Sequence, residues 1–183
     1  MKKKFDSFMA SDSSDLKAVR KQLSPNSQRV LNQIKNGYHN VNRDDWYSLT
    51  YELKNLNVIS ESDFIAANPA SFTPLGDYDE NGNWVHFPPP SEEMERLLEP
   101  EKFMNPIYNQ VVGETDERFG DPLKYLDAWL AAQENWLDEI VRHEDTGGTE
   151  TYQRSISLMQ KHIDASKKSC QKVSALVQKL SAL

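Results

Sequence analysis

Asp77, Asp79, Asn81 and Gly82 stand in the order D-x-D-x-N-G within residues 76–90, GDYDENGNWVHFPPP. Oxygen-bearing side chains at alternate positions, then a glycine for the sharp turn, are how an EF-hand loop starts to wrap a calcium ion. Such a loop closes with a bidentate glutamate at its twelfth position, and here that position is Pro88. Pro88–Pro90 also bar the helix that should follow. A looser site using Asp77, Asp79, Asn81 and Asn83, joined by Glu92 or Glu93 after the turn, is the metal alternative.

The same stretch also reads as a β-hairpin, and this reading accounts for more of its residues. Asn81-Gly82 is the preferred pair for a two-residue type I′ turn, whose central residues both need positive φ. Glu80 and Asn83 then flank the turn, Asp79 faces Trp84 and Tyr78 faces Val85. An isolated hairpin is marginal in water, so Trp84 and Phe87 are expected to dock onto helices, with His86 facing solvent. The acidic tip, residues 79–82, is left exposed.

The remaining reactive side chains form no catalytic pattern. His39, His86, His143 and His162 are scattered, without HExxH or an i, i+4 pair. His143 suits the negative end of an acidic helix. Cys170 is the lone cysteine, which removes intramolecular disulfides and cysteine-based zinc sites; it falls on an apolar stripe and reads as a buried small side chain. Glu134/Asp138 and Glu114/Asp116/Glu117 read as solvated charge. Trp129 and Trp136, seven apart, read as core rather than as a stacking platform. The P-loop, GxGxxG, GxSxG and CxxC signatures are missing from the sequence. The reading is therefore non-enzymatic, with no cofactor.

Charge along the 183 residues is polarised. Residues 1–50 carry nine basic and five acidic side chains, 51–100 two and ten, 101–150 four and twelve, 151–183 six and one. Basic ends flank an acidic middle, an arrangement that repels phosphate backbones and argues against nucleic-acid binding. No run approaches the ~18 apolar residues of a membrane span. "MKKK" begins like a signal peptide but leads into no apolar core. The compartment expected is the cytoplasm, with export without a cleaved leader as the alternative.

Capping chemistry places the elements that would carry these groups. Residues 1–22 read as a poorly ordered polar arm, and 23–183 as a single α-rich domain. Within 23–68, Ser24-Pro25 opens one helix that Gly37 stops. Val41-Asn42…Asp45-Trp46 and Ile59-Ser60…Asp63-Phe64 open two more as Asp-containing capping boxes with hydrophobic staples. The third of these helices is acidic and carries no basic residue, which sets aside a DNA-reading helix-turn-helix. Residues 69–90 form a loop with the hairpin. Ser91 caps a short helix with Met94, Leu97 and Leu98 inward, and 100–120 is a broken helix and loop with Phe103, Ile107, Tyr108, Val111 and Val112 as apolar cover.

Residues 121–183 read as a long helical hairpin. Leu123, Leu126, Leu130, Gln133, Leu137 and Ile140 make one stripe. After Gly147-Gly148, Tyr152, Ile156, Met159, Ile163, Ser166, Cys170, Val173, Val177 and Leu180 make a heptad stripe. The fold class expected is mainly α: three short N-terminal helices, a small β-hairpin insertion, and a C-terminal antiparallel αα-hairpin with a long final helix. That helix should overhang its partner by about 10 Å. Val173, Leu176, Val177 and Leu180 are then the expected surface for a protein partner or for self-association. The function expected is an interaction or assembly protein, adaptor-like or chaperone-like. A calcium- or ligand-responsive module built on the 77–83 loop is one alternative, and an enzyme with a non-motif site is another.

Overall fold

Serine, asparagine and aspartate caps set where the helices begin. The structure, a computed structural model, describes residues 13–37, 41–73, 75–99, 118, 120–144 and 150–183. In these residues the chain is mainly helical: α1 Ser13–Gln22, α2 Pro25–Lys35, α3 Arg43–Asn55, α4 Glu61–Ala66, α5 Glu92–Leu98, α6 Pro122–Glu144 and α7 Glu150–Ala182. Strands β1 Gly76–Tyr78 and β2 Trp84–His86 form the antiparallel hairpin. Most of residues 100–120, together with His39 and the Gly147-Gly148 break, lie outside the described residues, as does the side chain of His143.

The caps form as their chemistry requires. Ser24 Oγ accepts from Ser27 N, Asn42 Oδ1 from Asp45 N and Ser91 Oγ from Met94 N. Ser60 and Asp63 complete a reciprocal capping box, at 2.9 and 3.1 Å. The box expected at Asn42 is only half made. Asp45 turns its carboxylate to Asn26 and Arg29 of α2, at 2.9 and 2.7 Å, so it ties two helices together instead of closing its own.

The chain divides into two compact units. Unit 1 comprises Met1–Asn68, Asp116–Tyr125 and Ser169–Leu183; unit 2 comprises Pro69–Thr115 and Leu126–Lys168. Helices α6 and α7 each contribute residues to both units.

Unit 1 corrects the boundary of the N-terminal arm. Residues 13–22 are a helix, with Leu16 and Val19, and then Leu23, buried at helical spacing. Arg20 fixes it in place, donating to the carbonyls of Leu180 and Ser181 at 2.6 and 3.3 Å and to Asn32 Oδ1 at 2.6 Å. A guanidinium on the last carbonyls of α7 satisfies groups that a helix end leaves open, and its charge suits the dipole. The polar composition of 1–22 hid a narrow stripe that needed only this distant partner.

Val173, Leu176, Val177 and Leu180 are all buried inside unit 1, with Val30, Leu31, Leu49 and Leu53 in the same interior. They are therefore core residues, which corrects their assignment as a partner surface. The end of α7 also lies beside the start of α6, since Pro122 and Leu123 line one cleft with Gln178, Ser181 and Ala182. Cys170 lies in this packing too, its thiol donating to Ala66 O at 3.3 Å. Several buried polar groups here are paired: Trp46 Nε1 donates to Ala67 O, and Asn68 Nδ2 donates to Thr50 Oγ1 and Phe64 O, whereas Ser27 Oγ in α2 has no partner.

In unit 2, α6 and α7 run antiparallel. Leu137 packs with Met159 and Ile163, while Glu134, nearly a turn earlier, takes Lys167 Nζ at 2.7 Å. Phe87, Trp136 and Ile156 close around that cluster.

Candidate functional site

The hairpin exists, but one residue out of the expected register. Tyr78 pairs with Trp84, Asp77 with Val85 and Gly76 with His86. The connection is a turn and bulge over 79–83. Gly82 N donates to Asp79 O at 2.9 Å, Asp79 N donates to Asn83 O at 2.9 Å, and only Gly82 has positive φ, at 79°. Asp79 causes the shift. Its Oδ1 accepts from the backbone N–H groups of Asn81 and Asn83, both at 2.9 Å, which rewards the wider loop over a two-residue turn. The hydrogen bond from the Asn83 backbone leads in holding this carboxyl below its ordinary range.

A one-residue slip exchanges the faces of a strand. Val85 goes in, and Trp84 comes out at 47% exposure beside Tyr78 at 63%. Trp84 therefore does not dock onto helices, while Phe87 does, its ring 5.6 Å from that of His162. Gly76 permits this face: a Cβ there would strike Val85 O and the Trp84 indole.

The metal alternative fails on the same geometry. Asp79 Oδ1 is held by two N–H groups, and Oδ2 accepts from Arg154 Nη1 at 3.1 Å, placing a cationic side chain where an ion would bind. Asp77 Oδ1 accepts from Tyr78 N at 2.8 Å. Among the described residues no group of three or more His, Cys, Asp or Glu side chains is placed to hold a metal ion.

What unit 2 does contain is a cleft of about 560 Å³. Helical spacing builds three of its walls: Met94 and Leu98 on α5, Trp129 and Gln133 on α6, Met159 and His162 on α7. The fourth is irregular, with Leu75, the end of β2 at His86 and Phe87, and the rigid run Pro88–Pro90. The hairpin is fastened to α7 by Ser155 Oγ, which donates to His86 O at 2.6 Å, and by Arg154 on Asp79. Phe87 N donates to Leu75 O at 2.9 Å, which extends the pairing to the cleft edge.

Polar side chains interrupt this lining at Thr73, His86, Glu99, Gln133 and His162. Gln133 is 3% exposed, and its Nε2 is buried without a hydrogen-bond partner. A buried amide left unpaired costs roughly 1–3 kcal/mol. His162 is half-buried, with Nε2 3.3 Å from Ser166 Oγ. Burial pushes its pKa below the ordinary value, and the Asp77 carboxylate opposes this without reversing it. The ring is therefore neutral at neutral pH and able both to donate and to accept.

The sequence placed Trp129 in the core and Gln133 on the apolar stripe without giving either a role. A glutamine on an otherwise apolar heptad stripe was the available signal. Nothing local marked His162, because its surroundings come from segments far apart in the chain.

Unit 1 has clefts of about 320 and 390 Å³, lined by residues such as Ile34, Leu123, Gln178 and Ser181 in the one and Gln28, Arg29 and Asn32 in the other. No helix among the described residues is long and apolar enough to cross a membrane. No protein-family model, curated protein or solved structure matches the chain.

Proposed function

We propose that this protein is a non-catalytic interaction protein whose binding element is the cleft of unit 2. The observation that supports this reading is an apolar cleft of ligand-binding size, about 560 Å³. The cavity offers an apolar seat with a few polar side chains around it, His162 among them, a combination that selects an occupant by shape and polarity. It brings together no nucleophile with a base and no pair of carboxylates, so binding is the chemistry it offers. The C-terminal helix has no part in this surface beyond α7 residues Met159 and His162.

Nile red, a neutral apolar dye, tests the reading. Its emission should rise and shift to the blue on the native protein. The shift should vanish in an Ala70→Trp variant, which fills the cleft from its edge, with the melting temperature preserved. Dye binding that is absent, or unaffected by Ala70→Trp, would sink the proposal.

A further inference from the structure

The cleft does not end at its rim. His86 lines it, the His86 ring is 6.0 Å from that of Trp84, and Trp84 is 5.1 Å from Tyr78, each pair edge to face. A row of three exposed rings thus runs from the cleft toward the hairpin tip, where Glu80 is also exposed. Leu75, 70% exposed, sits at the same edge. Rings flanked by carboxylates attract cations, through the negative ring face and through charge.

Unit 1 shows the same device already occupied. Lys54 Nζ lies 4.6 Å from the centroid of Tyr51 and 4.7 Å from that of Phe64. Among the described residues no cation lies over Tyr78 or Trp84. Of the bases carried by the elements around the cleft, Arg154 is engaged with Asp79, and Arg96 shares α5 with Glu92, Glu93 and Glu95. Unit 2 as a whole has 7 basic and 17 acidic side chains, a net charge of −10.

We infer that the occupant is a cationic, apolar-anchored peptide segment. One bulky apolar side chain fills the cleft, and a neighbouring lysine or arginine lies on the Trp84–Tyr78 row beside Glu80. The inference rests on the binding reading above and adds the chemistry of the partner. A small apolar ligand would fill the cleft and leave the ring row unused.

Calorimetric titration with three synthetic heptapeptides tests it. The first alternates lysine or arginine with leucine or phenylalanine; the second replaces its basic residues with glutamate, and the third its apolar residues with serine. Only the first should bind. Trp84→Ala should weaken it about threefold to tenfold, and Glu80→Gln should weaken it and flatten its salt dependence. Nile red binding without binding of the first peptide would overturn this inference and leave the cleft reading standing. Equal binding of the first and third peptides, or indifference to Trp84→Ala, would also overturn it, since charge alone would then explain the association.

Discussion

Unit 1 and unit 2 are built from the same helical grammar and end in opposite states. Unit 1 carries 14 basic and 11 acidic side chains, a net +3; unit 2 is at −10. Unit 1 uses its polar groups internally: Arg20 on the carbonyls of α7, Glu52 on Ser24, and Lys172 on Asp63. Unit 2 keeps a cleft, an unpaired amide and exposed rings. A surface whose groups are spent on itself stabilises; one whose groups remain open is available for recognition, at some cost in stability.

The hardest blow to this contrast would come from the end of α7. Truncation after Ala175 removes Leu176, Val177 and Leu180, all buried in unit 1. Each contributes roughly 1.5–3 kcal/mol, against a typical domain stability of ~5–15 kcal/mol. Unit 1 should lose its cooperative melt. A truncated chain that melts like the full one, but has lost a partner or self-association, would return these residues to the surface.

Next in size is the Asp63–Lys172 pair, 2.8 Å apart, with the Asp63 side chain 4% exposed. Burial raises the Asp63 pKa, and hydrogen bonds from Lys172, Ser60 and Ser169 outweigh it, leaving the carboxyl below its ordinary value. Lys172→Met should destabilise by about 2 kcal/mol in denaturant unfolding, because the buried carboxylate loses its main donor. The loss should shrink once acid protonates Asp63.

A smaller change of opposite sign is expected in unit 2. Gln133→Leu replaces an unpaired buried amide by an apolar side chain and should stabilise by about 1 kcal/mol in denaturant unfolding. A destabilised Gln133→Leu variant would mean that the amide is already satisfied.

The smallest effect is a pH dependence. The His162 pKa is lowered in the folded state, so below 6.5, its ordinary value, the unfolded chain takes up a proton that the folded chain refuses. The contribution is complete above that value and is lost as pH falls toward the lowered one. His162→Gln should remove this part of the slope in melts across mildly acid pH. An unchanged slope would show that His162 titrates normally.

The sequence revealed most where the physics was local. Ser24, Ser60 and Ser91 cap the helices they were expected to cap, because a cap needs only its own next turn. The α7 stripe from Met159 to Leu180 is buried as its spacing implies. Failures came where distant segments decide. The helix at 13–22 depends on Arg20 meeting a carbonyl 160 residues away. The hairpin slipped because the Asp79 side chain outbid the local preference of Asn81-Gly82. The cleft was illegible, since its walls come from four separate stretches and only Gln133 hinted at it.

That reach of Arg20 to Leu180 also sets an order of events during synthesis. A ribosome adds roughly 5–20 residues per second, so roughly 10–30 s separate the two residues. Unit 2 needs nothing beyond Lys168 and can assemble while the chain is still growing. Unit 1 must wait, with Val30, Leu31, Leu49 and Leu53 lacking their cover, until residues 169–183 arrive. The acidic unit 2 is thus expected to be ready before unit 1, and the nascent N-terminal helices are the stretch that most needs a chaperone's protection.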